Sequence, residues 1–180
     1  MAKSARQTVF EGMELMPEAL IPFVEKRLDS TLQGHWQIDV VERIRGLRPN
    51  SKGTVAWDQQ GLMQTMMAYW KESFSSVLGH MERSMVSELL EVRNRLSHNE
   101  AFSYDDAERA LDSMRRLCEA ISAGGTAGQL GKMRDTILRT KYRELARSEE
   151  RKGQTSTIST ETISGLLPWR DVVEPHQDVA

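Results

Sequence analysis

The run Gly79-His-Met-Glu-Arg-Ser-Met-Val-Ser-Glu-Leu-Leu-Glu-Val-Arg-Asn-Arg-Leu-Ser-His-Asn-Glu-Ala-Phe-Ser103 decides the fold. Met81, Met85, Leu89, Val92 and Leu96 recur every three or four residues, which is the period of a helix with one apolar face, and they predict a helix over His80 to Ser97. The segment before it has the same period. Asp58 is placed as an N-cap, Leu62, Met66, Tyr69, Trp70, Phe74 and Val77 share a face, and Gly79 is expected to close that helix in the left-handed conformation. Two long helices with so short a connection are expected to lie antiparallel. After the run, Ser103-Tyr-Asp-Asp106 forms a near capping box, with aspartate where glutamate is usual. It opens a helix striped by Ala107, Ala110, Leu111, Met114, Leu117, Cys118 and Ile121, and Gly124-Gly125 is expected to end it.

Towards the N-terminus, Val9, Phe10, Met13, Met16, Leu20, Phe23, Val24 and Leu28 repeat at helical spacing. Pro17 fits the first turn of a second helix and Pro22 would have to kink it, so two short helices or one bent helix are expected. Residues 29–57 carry turn chemistry at Asp29-Ser30, Gln33-Gly34 and Arg48-Pro-Asn-Ser-Lys-Gly53, around one short helix expected over Gln37 to Arg45. Thr54-Val55-Ala56-Trp57 is too short to imply a sheet, and His35 beside Trp36 reads as packing or surface. Towards the C-terminus, Leu130, Met133, Ile137, Leu138, Tyr142 and Leu145 mark a fourth strong helix that runs to about Lys152. Its other face holds Lys132, Arg134, Arg139, Lys141, Arg143, Arg147, Arg151 and Lys152, against Asp135, Glu144, Glu149 and Glu150. Such a face is most often simply solvated, although its positive excess also suits a phosphate backbone.

The expected fold is all-α, an up-and-down helical bundle of four to six helices over residues 1–152. Gly153 to Ser164 is Ser/Thr-rich without periodicity and is expected to be a linker. Residues 165–180 turn apolar again and are expected to begin a following region.

Composition narrows the function classes. The chain has 180 residues and a formal net charge of -2, so a polyanion has to be held by a local patch rather than by overall charge. One cysteine, Cys118, leaves no intramolecular disulfide and no cysteine-rich metal site, and its place on an apolar stripe predicts a buried thiol. No stretch approaches the ~20 apolar residues of a membrane span and no secretory signal is present, which points to the cytoplasm. The ten methionines fall mainly at helix-core spacing and are read as packing.

Chemistry concentrates in Glu91-Val-Arg-Asn-Arg-Leu-Ser-His-Asn-Glu100. On a helix that ends near His98, Asn94 and His98 share one face, Arg93 and Ser97 the next, and Leu89, Val92 and Leu96 point inward. A guanidinium matches the oxygens of a phosphate, a histidine exchanges protons near neutral pH, and a carboxamide can orient either. These groups suffice to cleave RNA without a metal. The spacing alone is weak. In the plainer reading His98 complements the helix dipole and Arg93 pairs with Glu91, Glu100 or Asp106.

Arg93-Asn94-x-x-x-His98, at the end of one long bundle helix and followed by another, resembles the HEPN superfamily (higher eukaryotes and prokaryotes nucleotide-binding). Its signature is an arginine, a polar residue, then a histidine four to six positions after the arginine. The run Gly79 to Ser103, continued through Ala107-Glu-Arg-Ala-Leu-Asp112, is similar to the branch named after a eukaryotic nuclear RNA-surveillance endonuclease. In prokaryotes that branch stands at the N-terminus of large P-loop ATPases of phage-defence loci. Gly165-Leu-Leu-Pro-Trp-Arg-Asp-Val-Val-Glu-Pro-His176 resembles the segment leading into their ATPase region. The resemblance implies a homodimeric helical bundle, a composite site in which two motifs face each other, and RNA cleavage without metal or other cofactor to a 2′,3′-cyclic phosphate. By it Arg93 and His98 are catalytic and Asn94 supports them; apart from the resemblance, Arg95, Arg139 and Arg143 are weaker candidates for RNA contacts. Ser97 stands where the family often has alanine, and Leu96 where it often has tryptophan. Two functions follow as expectations: an RNA-cleaving or RNA-binding effector, or a non-catalytic dimerisation module that assembles the ATPase.

Overall fold

Val9, Met13, Met16, Leu20, Val24 and Leu28 lie buried along one side of a single helix, α1 (Ala5–Leu32). The computed structural model describes residues 3–161 apart from Gln33 and His35, so the reading of His35 and that of the apolar tail lie outside the described residues. Pro17 and Pro22 both sit within α1, which therefore does not divide into two helices. The buried stripe keeps its register through both prolines, and its packing outweighs the backbone hydrogen bonds they remove.

α2 (Trp36–Arg43) and the loop after it are fastened to α1 by aromatic side chains. Trp36 stacks on Trp57 with ring centroids 6.2 Å apart, and the Trp57 indole donates to Glu25 Oε1 of α1 at 2.8 Å. In the loop, Asn50 Oδ1 accepts from the backbone N–H groups of Lys52 (2.9 Å) and Thr54 (3.1 Å). Only an isolated bridge, Pro49 to Val55, forms there, and no strand is present among the described residues.

Asp58 caps α3 (Gln59–Ala68) by accepting from the Gly61 N–H at 2.6 Å. The helix expected to reach Leu78 instead passes into a π-helical turn, Trp70–Phe74, in which the Ser75 N–H reaches back five residues to the Trp70 carbonyl at 2.8 Å. The wider turn keeps Trp70 and Phe74 buried but leaves Val77, expected on the inner face, 50% exposed. Arg27 of α1 steadies this turn, donating to the Ser73 carbonyl and to Ser76 Oγ, both at 2.9 Å. Gly79 does not adopt the left-handed conformation: it is extended (φ -88°) and serves as the N-cap of α4 (His80–Ser97), with its N–H on Glu82 Oε2 at 2.8 Å.

The capping box at the start of α5 (Tyr104–Ala120) forms as expected, Ser103 and Asp106 each satisfying the other's backbone N–H at 3.1 and 3.0 Å. The far end of α5 departs from expectation. Ser122 takes the left-handed position (φ 63°), and the N–H groups of Ser122 and Ala123 return to the carbonyls of Glu119 and Cys118. Gly124 and Gly125 therefore begin α6 (Gly124–Glu161) rather than ending α5.

α1 packs on α5 and α3, and α4 packs on α3 and α5. At Gly12 the approach is close: an added Cβ would meet Leu111 of α5 at 2.8 Å and Leu130 of α6 at 3.3 Å. Cys118 is fully buried with its Sγ 3.8 Å from Met16 Sδ, and burial pushes the thiol up to about 11. In α6 Leu130 and Ile137 are buried, and Arg134, read as outward-facing, instead pairs with Glu108 at 2.8 Å. Residues up to Thr140 form one compact body, and a second unit begins at Lys141. In that second unit Tyr142 and Leu145, read as part of the apolar stripe, are 63% and 51% exposed. The helix continues to Glu161, so the expected linker is helical over 153–161, a stretch that contains no proline.

Candidate functional site

Met85, Val86, Leu89, Val92 and Leu96 fix the rotation of α4, while Met81, placed on that stripe from the sequence, is 58% exposed. With Val92 and Leu96 inward, Arg93 is half-buried and Asn94 and His98 are exposed. His98 is the C-cap of the helix, and Asn99 follows in the left-handed conformation (φ 55°). The N–H groups of Asn99 and Glu100 close the end onto the carbonyls of Leu96 (3.2 Å) and Arg95 (3.0 Å). Asparagine is one of the few residues that adopts this conformation at modest cost, so the chain reverses immediately after His98 without a glycine.

Two of the three acidic partners considered for Arg93, Glu100 and Asp106, belong to Arg95. Its guanidinium reaches Glu100 Oε2 and Asp106 Oδ2, each at 3.3 Å, donates to the Ala101 carbonyl at 3.0 Å, and lies 4.3 Å above the Phe102 ring. That hydrogen bond, with those from Ser103, holds the Asp106 carboxyl below the usual carboxylate range. Arg95 is thereby committed to joining α4 to the cap of α5. The side chains of Arg93, Asn94 and His98 make no hydrogen bond or ion pair among the described residues. Between them, Ser97 Oγ donates to the Arg93 carbonyl at 3.0 Å.

Sequence reasoning did not find Arg6. From the first turns of α1 its Nη2 donates to the Leu96 carbonyl at 2.9 Å and to the Asn99 side chain (Oδ1) at 2.6 Å, tying down the residues on both sides of Ser97 and His98. The two ends of that contact lie 90 residues apart, and no local pattern announces it. Beside this clamp runs a groove of about 410 Å³, lined by Arg6, Gln7 and Phe10 of α1, Gln59 of α3, and Arg93, Leu96 and Ser97 of α4. Phe10, placed in the core from its spacing, is 43% exposed there. Asn94 and His98 lie outside its lining. Arg139 and Arg143 are both exposed on α6, Arg139 within the compact body and Arg143 in the second unit.

The Swt1-like HEPN family model matches residues 11–122, more than half of the chain, and the matched span contains Arg93, Asn94 and His98. The chain belongs to the Swt1-like HEPN family. Its all-α bundle is the fold this membership calls for. The family suggests an RNA-related nuclease or a regulatory module, and HEPN domains typically dimerise. No curated protein and no solved structure gives a match. Among the described residues no helix is long and apolar enough to cross a membrane.

Proposed function

We propose that this HEPN domain is a metal-independent endoribonuclease whose active site is assembled from the motifs of two copies. One observation supports this reading above the others: of the two arginines in the motif turn, Arg95 is bound on every side while Arg93 opens onto a groove. In the reaction, the 2′-oxygen of a ribose bonds to the adjacent phosphorus and the bond from phosphorus to the 5′-oxygen breaks. The products are a 2′,3′-cyclic phosphate and a free 5′-hydroxyl. One His98 imidazole takes the proton from the 2′-hydroxyl and the other gives a proton to the departing 5′-oxygen. Arg93 stabilises the charge that builds on the phosphoryl oxygens, and Asn94 orients the reacting groups. Arg139 and Arg143 contribute contacts to the RNA backbone, whereas Arg95 is left out because its guanidinium is already engaged. In line with the resemblance of the segment from Gly165, the domain serves as the effector of a P-loop ATPase in phage defence.

The test is to incubate the full chain with tRNA and total RNA beside His98→Ala and Arg93→Ala. Cleavage is expected to fall by about 10²–10⁴-fold in His98→Ala, with cyclic phosphate ends on the wild-type products. Wild-type rates in both variants would remove the motif from the chemistry. A stable dimer that binds no RNA at low salt would favour the dimerisation module instead.

A further inference from the structure

The groove beside the motif has features that the cleavage chemistry does not use. Phe10 offers an aromatic ring, 43% exposed, at its edge. Gln7 and Gln59 line it from two different helices, and each amide is tied back by a glutamate: Gln7 Nε2 donates to Glu11 Oε1 at 3.1 Å, and Gln59 Nε2 donates to Glu14 Oε1. A carboxylate only accepts, so both amide nitrogens are turned to the glutamates and both amide oxygens remain as acceptors. Arg6 and Arg93 supply positive charge to the same groove, and Arg6 Nε is buried without a hydrogen-bond partner. An aromatic face, two acceptors and two guanidiniums in about 410 Å³ match a single nucleotide.

We infer that this groove seats the nucleotide next to the scissile phosphate of single-stranded RNA, and that it selects a base bearing an exocyclic amino group. The inference rests on the ribonuclease reading and gives that site its specificity. Phe10 stacks on the base, which every base permits. The Gln7 and Gln59 oxygens accept from the amino group of adenine, cytosine or guanine. Uracil offers only its single N3–H where an amino group offers two donors, so one of the two acceptors is left unpaired, which is the stronger source of discrimination in a partly desolvated site. Arg93 holds the flanking phosphate and Arg6, itself tied to Leu96 and Asn99, adds positive charge beside it, so the base seat and the reacting phosphate share the Arg93 side chain.

The test uses the full chain carrying His98→Ala, so that bound RNA stays intact, and fluorescent ten-nucleotide oligo-A, oligo-C and oligo-U at low salt. Oligo-A and oligo-C are expected to bind more tightly than oligo-U. Adding Phe10→Ala is expected to weaken oligo-A by about 5- to 150-fold, the range of one lost base stack, and Phe10→Tyr to restore it. Gln7→Ala with Gln59→Ala is expected to bring the three oligonucleotides together in affinity while self-association, followed by light scattering, stays as in the parent. Unchanged oligo-A affinity in Phe10→Ala, with Arg93→Ala still weakening it, overturns the groove inference and leaves the ribonuclease reading standing. Loss of self-association in Phe10→Ala with unchanged RNA affinity also overturns it, because the ring then contacts a second copy. Absence of RNA binding in every form overturns both.

Discussion

Arg93 and Arg95 stand two residues apart on one helix and have opposite fates, because a rotation of about 200° separates them on the helix. Arg95 faces the α4–α5 turn, where Glu100, Asp106 and the Ala101 carbonyl hold it, while Arg93 faces the groove. The plainer sequence reading, in which an arginine pairs with those acids, is correct in kind and falls on the neighbouring residue. Asp106 carries a pH dependence through this contact. Its folded pKa is depressed first by Arg95 and then by Ser103. Its stabilisation is therefore present above the unfolded value of about 3.9 and is lost as pH falls through the lower folded value. Asp106→Asn is expected to cost about 0.5–1 kcal/mol at pH 7, a figure held down by the partial exposure of the pair. Urea unfolding at pH 7 and at pH 3 or below reads it: the gap between wild type and variant closes in acid, and a gap that persists there would detach the effect from the carboxylate charge.

At the scale of elements, the helices are legible because burial imposes a 3.6-residue period, and α1, α4 and α5 keep theirs without interruption. The motif is legible because its three members lie within one and a half turns. What escapes depends on distant chain. The π turn at Trp70–Phe74 adds a residue to the helical period for which no residue type is a signal, and it turns Val77 outward. Phe10 fits the apolar period of α1 but meets the groove instead of the core, and Arg6 reaches a carbonyl 90 residues away. Tight packing is equally silent in the sequence, and Gly12 shows it. A valine there has to displace Leu111 and Met114, which an added Cβ would approach to 2.8 and 3.1 Å in a filled core. Overpacking of this kind costs about 1–3 kcal/mol, against less than ~1 kcal/mol regained in helix propensity. Gly12→Val is therefore expected to lower the denaturant midpoint at an unchanged slope. An unaltered midpoint would mean that α1, α5 and α6 do not meet as closely as described.

At the scale of the whole molecule, a net charge of -2 gives RNA no general attraction, so binding has to come from a local site and from the number of copies that form it. The His98 side chain is exposed at a helix end and makes no hydrogen bond among the described residues, an arrangement in which a second motif can approach it. The composite site makes a quantitative demand on mixtures. When wild-type chain is allowed to exchange subunits with an equal amount of His98→Ala, mixed dimers hold one histidine and lack either the base or the acid. Activity per total protein is then expected to fall to about one quarter, since only dimers of two wild-type copies are complete, whereas copies that act alone would retain about one half. A titration across several ratios separates a squared from a linear dependence on the wild-type fraction, with light scattering confirming that every mixture is dimeric. A linear dependence would place the whole reaction within one copy, and the second histidine would drop out of the mechanism.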